Sequence, residues 1–229
     1  MSTETITKTN RIEEVHEVVL FHLVFIFVLM SVVGLGVELI VSFLLDGRWE
    51  SRAGFVIGPF SPLYGFGAVF VTLIGIPLRK RSVPEQFGAI AIACGALECF
   101  TGWFLETKFG IVAWSYADMP LNIHGWTCAF TMVVWGVVGI IWMRWGLPFA
   151  LMLSEKIPQE MRTSFTVVVL VLLVADAALT LACLDSWFLR EAGYPMSNPI
   201  QQFCTAYFDD DFMRGRFETM GMWTSLASR

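Results

Sequence analysis

Charge is scarce in this 229-residue sequence: 15% of its residues are Asp, Glu, Lys or Arg, while 56% are hydrophobic. Soluble domains carry about 25% charged residues, so this balance excludes an ordinary water-soluble domain and places most of the chain in lipid. Basic residues form no patch interleaved with aromatics, and the net charge is -5, so no nucleic-acid partner is expected. There is no GxxxxGK[ST] phosphate loop, which excludes ATP hydrolysis by that route within this chain. HExxH and GxSxG are missing too, and with them the usual zinc-peptidase and serine-hydrolase constellations. No glycine-rich dinucleotide fingerprint follows a strand. The five cysteines, Cys94, Cys99, Cys128, Cys183 and Cys204, make no CxxC pair and no Cys/His spacing. Neither a metal nor a cofactor is expected. Most of them lie within apolar runs, where a reduced cysteine behaves as a small hydrophobe. Residues 1–17 are polar and acidic, and the apolar run after them is too long for a signal-peptide h-region.

What the chain has instead is long, continuous apolar runs. They do not alternate every second residue, so they read as helices rather than barrel strands. Crossing the hydrocarbon takes about 20 apolar residues per helix. The fold class is all-α: a polytopic transmembrane helical bundle of about five spans. The expected spans are 18–45, a second running to 78, 84–105, 123–145 and 165–184, with 147–153 as an extension or a short interfacial helix. The second is entered through GPFSPLYGFG (58–67), whose prolines and glycines predict a re-entrant or kinked entry. The domain reading is a polar leader (1–17), a transmembrane domain (18–184) and a polar tail (185–229). In the tail, Asp209, Asp210 and Asp211 followed by Arg214 and Arg216 read as a solvated stretch.

Basic residues orient the bundle. With the N-terminus cytoplasmic, the cytoplasmic segments hold Lys8, Arg11, Arg79, Lys80, Arg81, Arg144, Lys156 and Arg162, and the short outer loops hold only Arg48, Arg52 and Lys108. The expected location is the bacterial inner (cytoplasmic) membrane, multi-pass, with membrane lipids as surroundings. The 58–67 entry, the Glu106 end of the third span, the aromatic loop after it and the tail then share the outer face.

Acids inside spans are expensive, about 2.5–3.5 kcal/mol at a helix centre on insertion scales, and mark functional sites. Glu38 and Glu98 are the leading candidates. Facing each other in low dielectric they would not both ionise easily, and such a pair could bind a cation, relay a proton or act as acid and base. The bland alternative is a glutamic acid that hydrogen-bonds a backbone or an indole to hold the bundle together. Glu106 lies eight residues beyond Glu98, roughly on the same helix face. Tyr64, Trp114, Tyr116 and Asn122 could converge with it at the outer mouth, or the aromatics could be an interfacial belt. Asp176 is a further acid, in the last span. His22 and His124 read as interfacial or structural.

Four segments carry a resemblance: Gly34 to Glu38, GFVIGPFSPLYGFGAV (54–69), ALECFTGWFLETKFGIVAWSYADMPLNIHG (96–125), and Cys128 with Trp135-Gly136. In order and spacing they resemble the CmpB-like family of bacterial ABC-transporter type IV membrane proteins, over residues 21–158. That family's aromatic loop usually reads Trp-Asp-Tyr-Ser where this chain has Trp114-Ser115-Tyr116-Ala117. It has Asn-Gly-Arg where this chain has His124-Gly125-Trp126. An acid and a cation are absent together. The resemblance implies a permease subunit working with a separate ATPase. The residues alone leave three readings open: transport, an intramembrane enzyme acting on a lipid-like substrate, and a membrane scaffold.

Overall fold

The computed structural model describes residues 20–218 and 221–222; the 1–17 leader lies outside the described residues. Among the described residues, four helices are long and apolar enough to cross a membrane: Leu20–Leu45, Val83–Phe109, Ala129–Ser154 and Gln159–Glu191. The first belongs to α1 (Leu20–Asp46). A shorter apolar helix, α2 (Pro62–Leu78), joins them. Its 17 residues span about 25 Å, close to the hydrocarbon thickness. The expected helical bundle is thus the architecture observed.

Element boundaries follow from local chemistry. α3 (Val83–Phe109) opens on a Ser82/Glu85 capping box, with Pro84 in its first turn, and ends at Gly110, which adopts a left-handed φ of 63°. Glycine takes that conformation without steric cost. α3 therefore runs four residues past the expected 105 and carries Glu106 on its last turns. The next span starts later than expected. Residues 122–128 form a small hairpin, β2 (Asn122–Ile123) against β3 (Thr127–Cys128), with His124 and Gly125 both at positive φ. Apolar content alone did not distinguish this hairpin from a helix start. α4 (Ala129–Ile141) then continues through one π turn (Trp142–Gly146) into α5 (Leu147–Ser154) as a single span. At the π turn the Trp142 indole donates to Thr72 Oγ1 at 2.9 Å, tying this span to α2. α6 (Gln159–Glu191) overshoots the expected 165–184 at both ends. The tail folds as α7 (Pro199–Tyr207) and α8 (Asp210–Arg216).

Two cores hold the molecule. One lies within the bundle, where Ile26, Ala68, Val71, Ile90, Cys94, Trp142, Leu147 and Ala150 meet. α1 and α2 touch closely there: the Gly65 backbone packs on Ser31 and on the Phe27 carbonyl, leaving no room for a Cβ. The second core caps one end of the bundle. Val56 from the entry loop, Ile111, Cys183, Leu184 and Trp187 pack with Cys204, Met213 and Phe217 from the tail. β1 (Ile111–Val112) also pairs with β4 (Gly221–Met222), so three chain segments are woven into one cap.

The entry loop descends into the bundle as the prolines and glycines predict. The Ser61 N–H donates to the carbonyl of Ser31, in the middle of α1, at 3.0 Å. Irregular backbone at membrane depth is tolerated only where protein satisfies it, and here several of its groups have protein partners. Val56 N–H donates to Thr180 Oγ1 (2.9 Å) and Ile57 N–H to Asp176 Oδ1 (3.1 Å). Gly54 N–H reaches the Phe60 carbonyl at 2.8 Å. From the tail, Arg216 donates to the carbonyls of Phe55 (2.9 Å) and Gly58.

Candidate functional site

Glu98 lies on the buried face of α3, with 3% of its surface exposed. Three hydroxyls surround its carboxyl. Tyr116 donates to Oε1 at 3.1 Å; Thr127 and Thr131 reach Oε2 at 2.8 and 3.0 Å. Thr131 sits on the first turn of α4, where it also accepts the Cys128 N–H at 3.2 Å. Its single proton can go to Glu98 or to the Cys128 carbonyl, also 3.0 Å away, but not to both. No salt bridge reaches Glu98 among the described residues. It is a membrane-embedded carboxyl satisfied by neutral donors alone.

Glu38 on α1 approaches the same place from the other side. Tyr64 lies within electrostatic reach of its carboxyl, and likewise of Glu98 and of Tyr116. Tyr64 is held as a wedge. Its ring fills the space left open by Gly34 and lies 6.1 Å from the Trp135 ring. Glu38, Tyr64, Glu98 and Tyr116, contributed by α1, α2, α3 and the loop after α3, thus form a polar cluster of electrostatically interacting groups, with the Tyr116–Glu98 hydrogen bond inside it.

The two acids differ in their counter-charges. Arg52 Nη1 stands 3.7 Å from Glu38, and Arg52 Nη2 bonds Glu50 at 3.2 Å and Ser42 at 3.1 Å. Glu50, 8% exposed, in turn meets Arg48 at 2.5 Å. Two acids and two guanidiniums therefore alternate from Glu38 outward, while Glu98 lies deeper with none. Tyr116 belongs to the loop, and its hydroxyl is pushed above the usual tyrosine range, first by burial and then by the charge and hydrogen bond of Glu98.

The other expected residues serve the loop itself. Glu106 Oε2 accepts the Trp126 indole N–H. The Trp114 indole donates to the Trp126 carbonyl at 2.8 Å. Asn122 donates to the carbonyls of Met119 (2.8 Å) and Ala117 (3.1 Å) and accepts from Gly125 N–H (3.1 Å). These bonds build a rigid lid that carries Tyr116 onto Glu98. Ser115 packs against Gly125, next to Trp126, so the positions where the resembling family has an acid and a cation are spatial neighbours. In this chain the residue at the second of these positions, Trp126, donates its indole N–H to Glu106.

Sequence reasoning missed Thr127, Thr131, Glu50, Arg52 and Arg216. Only the last two carried any signal, as cations close to or beyond the membrane boundary. Arg216 is not part of a solvated stretch. Burial lowers its pKa from the ordinary value, opposed by the Asp176 charge. Asp209 caps α8, and Asp210 pairs with Arg190 at 2.6 Å.

With this geometry in place, comparison with known families is informative. The profile of the family described as "Putative ABC-transporter type IV" (the CmpB family) matches residues 25–181. That is more than two thirds of the chain. The protein belongs to this family. The match runs through most of α6, well past residue 158, where the recognisable motifs end. All four residues of the polar cluster fall within it, as does Asp176, whereas Cys204 and Arg216 lie beyond it. This family member is therefore a multi-pass membrane protein by both family and helix content. No curated protein and no solved structure matches it.

Proposed function

We propose that this family member is a permease-type subunit whose polar path passes Glu38, Tyr64 and Glu98 and opens toward the outer face. The N-terminus and the Arg79–Arg81 turn lie in the cytoplasm of a bacterial cell, and a separate ATPase subunit docks on that inner side. The observation that carries this reading is the buried Glu98 carboxyl held by three hydroxyls and no cation. A structural acid needs only to be neutralised, as Arg52 does for Glu38. An acid left without a fixed counter-charge is suited to meet a mobile one. Tyr64 feels the charge of both acids, so a proton or a cationic group passing from one to the other would meet its hydroxyl on the way. ATP hydrolysis belongs to a partner, since this chain has no phosphate loop of its own.

The scaffold reading has one observation in its favour: Glu106, Trp114 and Asn122 are spent on bonds inside the lid. The enzyme reading loses support from the same fact, because Glu106 Oε2 is already engaged by the Trp126 indole.

The test is purification of the intact protein from its own membrane under mild detergent, with the wild type and Glu98→Gln side by side. The transport reading expects a co-purifying ATP-hydrolysing subunit in both samples, with ATPase stimulation lost in the variant. Absence of any such subunit, or identical stimulation in the variant, overturns it. A complex that dissociates in the variant while activity survives points to the scaffold.

A further inference from the structure

Cys183 near the end of α6 and Cys204 in α7 are both fully buried, and their sulfurs lie 3.1 Å apart. They sit at the centre of the cap core, between Val56, Ile111 and Met213. The surrounding contacts hold the same two elements together. From the last turn of α6, Arg190 donates to Thr205 Oγ1 (3.2 Å) and to the Phe208 carbonyl (3.1 Å), and pairs with Asp210. The α7 helix is thus fixed in place on α6 by groups independent of the thiols.

We infer that Cys183 and Cys204 are a disulfide site, and that their oxidation locks the tail onto the bundle. The inference rests on the outward orientation of the cap proposed above, because disulfides persist in oxidising compartments outside the cytoplasm. Two S–H bonds break and one S–S bond forms. The two protons and two electrons pass to a protein or small-molecule disulfide, which leaves as two thiols. With both sulfurs inaccessible in the folded cap, the exchange belongs to the folding of the tail or to a transient opening of α7. The bond closes a ring over the α6–α7 connection and keeps α8 close to the entry loop, where Arg216 caps the Phe55 and Gly58 carbonyls.

The experiment uses the full chain with an antibody tag after Arg229, isolated from its native membrane in the presence of an alkylating agent. Tag accessibility on intact cells reports the side of the tail. Thiols are then counted after denaturation, and tryptic peptides are mapped, Arg190 being a cleavage point between the two cysteines. The inference expects three of the five cysteines to react before reduction and all five after it, with the Cys183 and Cys204 peptides recovered joined. The Cys204→Ser variant expects all four remaining thiols to react without reductant; if it does not accumulate, the wild-type peptide map decides. An outside tag with separately alkylated Cys183 and Cys204 overturns this inference and leaves the orientation standing. An inside tag with free thiols overturns the orientation, and the inference with it.

Discussion

At the scale of single residues, the chemistry of Glu98 depends on three neutral donors. Glu98→Leu removes the acceptor while leaving the hydroxyls of Tyr116, Thr127 and Thr131 in place. Each buried polar group left unsatisfied costs about 1–3 kcal/mol, so a marked drop in thermal midpoint is expected in detergent. Glu98→Gln keeps one acceptor oxygen and should cost less. Equal midpoints for the two variants would show that the hydroxyls find other partners. Tyr116 yields a second prediction. Its pKa is raised in the folded protein, so the native state keeps the phenol proton where the unfolded chain loses it. The stabilising contribution is complete below the unfolded value of about 10 and fades as pH rises through the higher folded value. The tyrosinate absorbance removed by Tyr116→Phe should therefore appear only above the ordinary tyrosine range. Titration of that difference signal near the normal value would contradict the burial of the hydroxyl under Glu98.

At the scale of elements, the decisive piece is the entry loop between α1 and α2. Its backbone runs at membrane depth, and its donors and acceptors are met by Asp176, Thr180 and Arg216 from α6 and the tail. Asp176 thus has a structural task. The default reading of an intramembrane acid as functional does not apply to it, whereas Glu98 has no comparable backbone to serve. Arg216→Ala leaves the Phe55 and Gly58 carbonyls without their donor and Asp176 without a nearby cation. A loss of about 2–4 kcal/mol is expected, since hydrogen bonds to charged groups each contribute roughly 1.5–3 kcal/mol. Arg216→Lys should recover only part of it, because an ammonium lacks the planar fork that spans two carbonyls. Thermal denaturation of the three proteins in one detergent checks the order; a Lys variant as stable as wild type would show that charge alone suffices. The spans themselves were legible in the sequence, because a stretch of about 20 apolar residues has few alternatives in lipid. Their ends were less so. The end of α3 depends on the left-handed Gly110, and the start of α4 is delayed by a hairpin of only a few residues.

At the scale of the whole molecule, the protein is a bundle closed at one end by a cap drawn from distant parts of the chain. Ile111, Trp187, Met213 and Phe217 share that cap, and Ser51 bonds the Arg216 carbonyl at 2.6 Å across most of the sequence. Truncation after Glu191 removes three of the eight buried cap-core residues and the Arg216 donor in one step. It should sharply reduce the amount of protein accumulating in the membrane fraction, where immunoblotting of tagged full-length and truncated chains gives the comparison. Undiminished accumulation would mean that the spans fold without the cap.

Composition and the length of the apolar runs determined by themselves that this chain is a helical membrane bundle, because lipid offers the backbone no hydrogen-bond partners and leaves helices as the economical solution. Four motif segments in order and spacing were likewise enough to place it in its family. Which acids meet was decided only by tertiary packing. Glu98 and Glu106 share one helix face in the sequence, yet the fold gives Glu98 to the hydroxyls of Tyr116, Thr127 and Thr131 and Glu106 to an indole. Glu98 projects into a space made by three other segments, Glu106 reaches the edge of the lid, and no periodicity within one helix encodes what stands opposite.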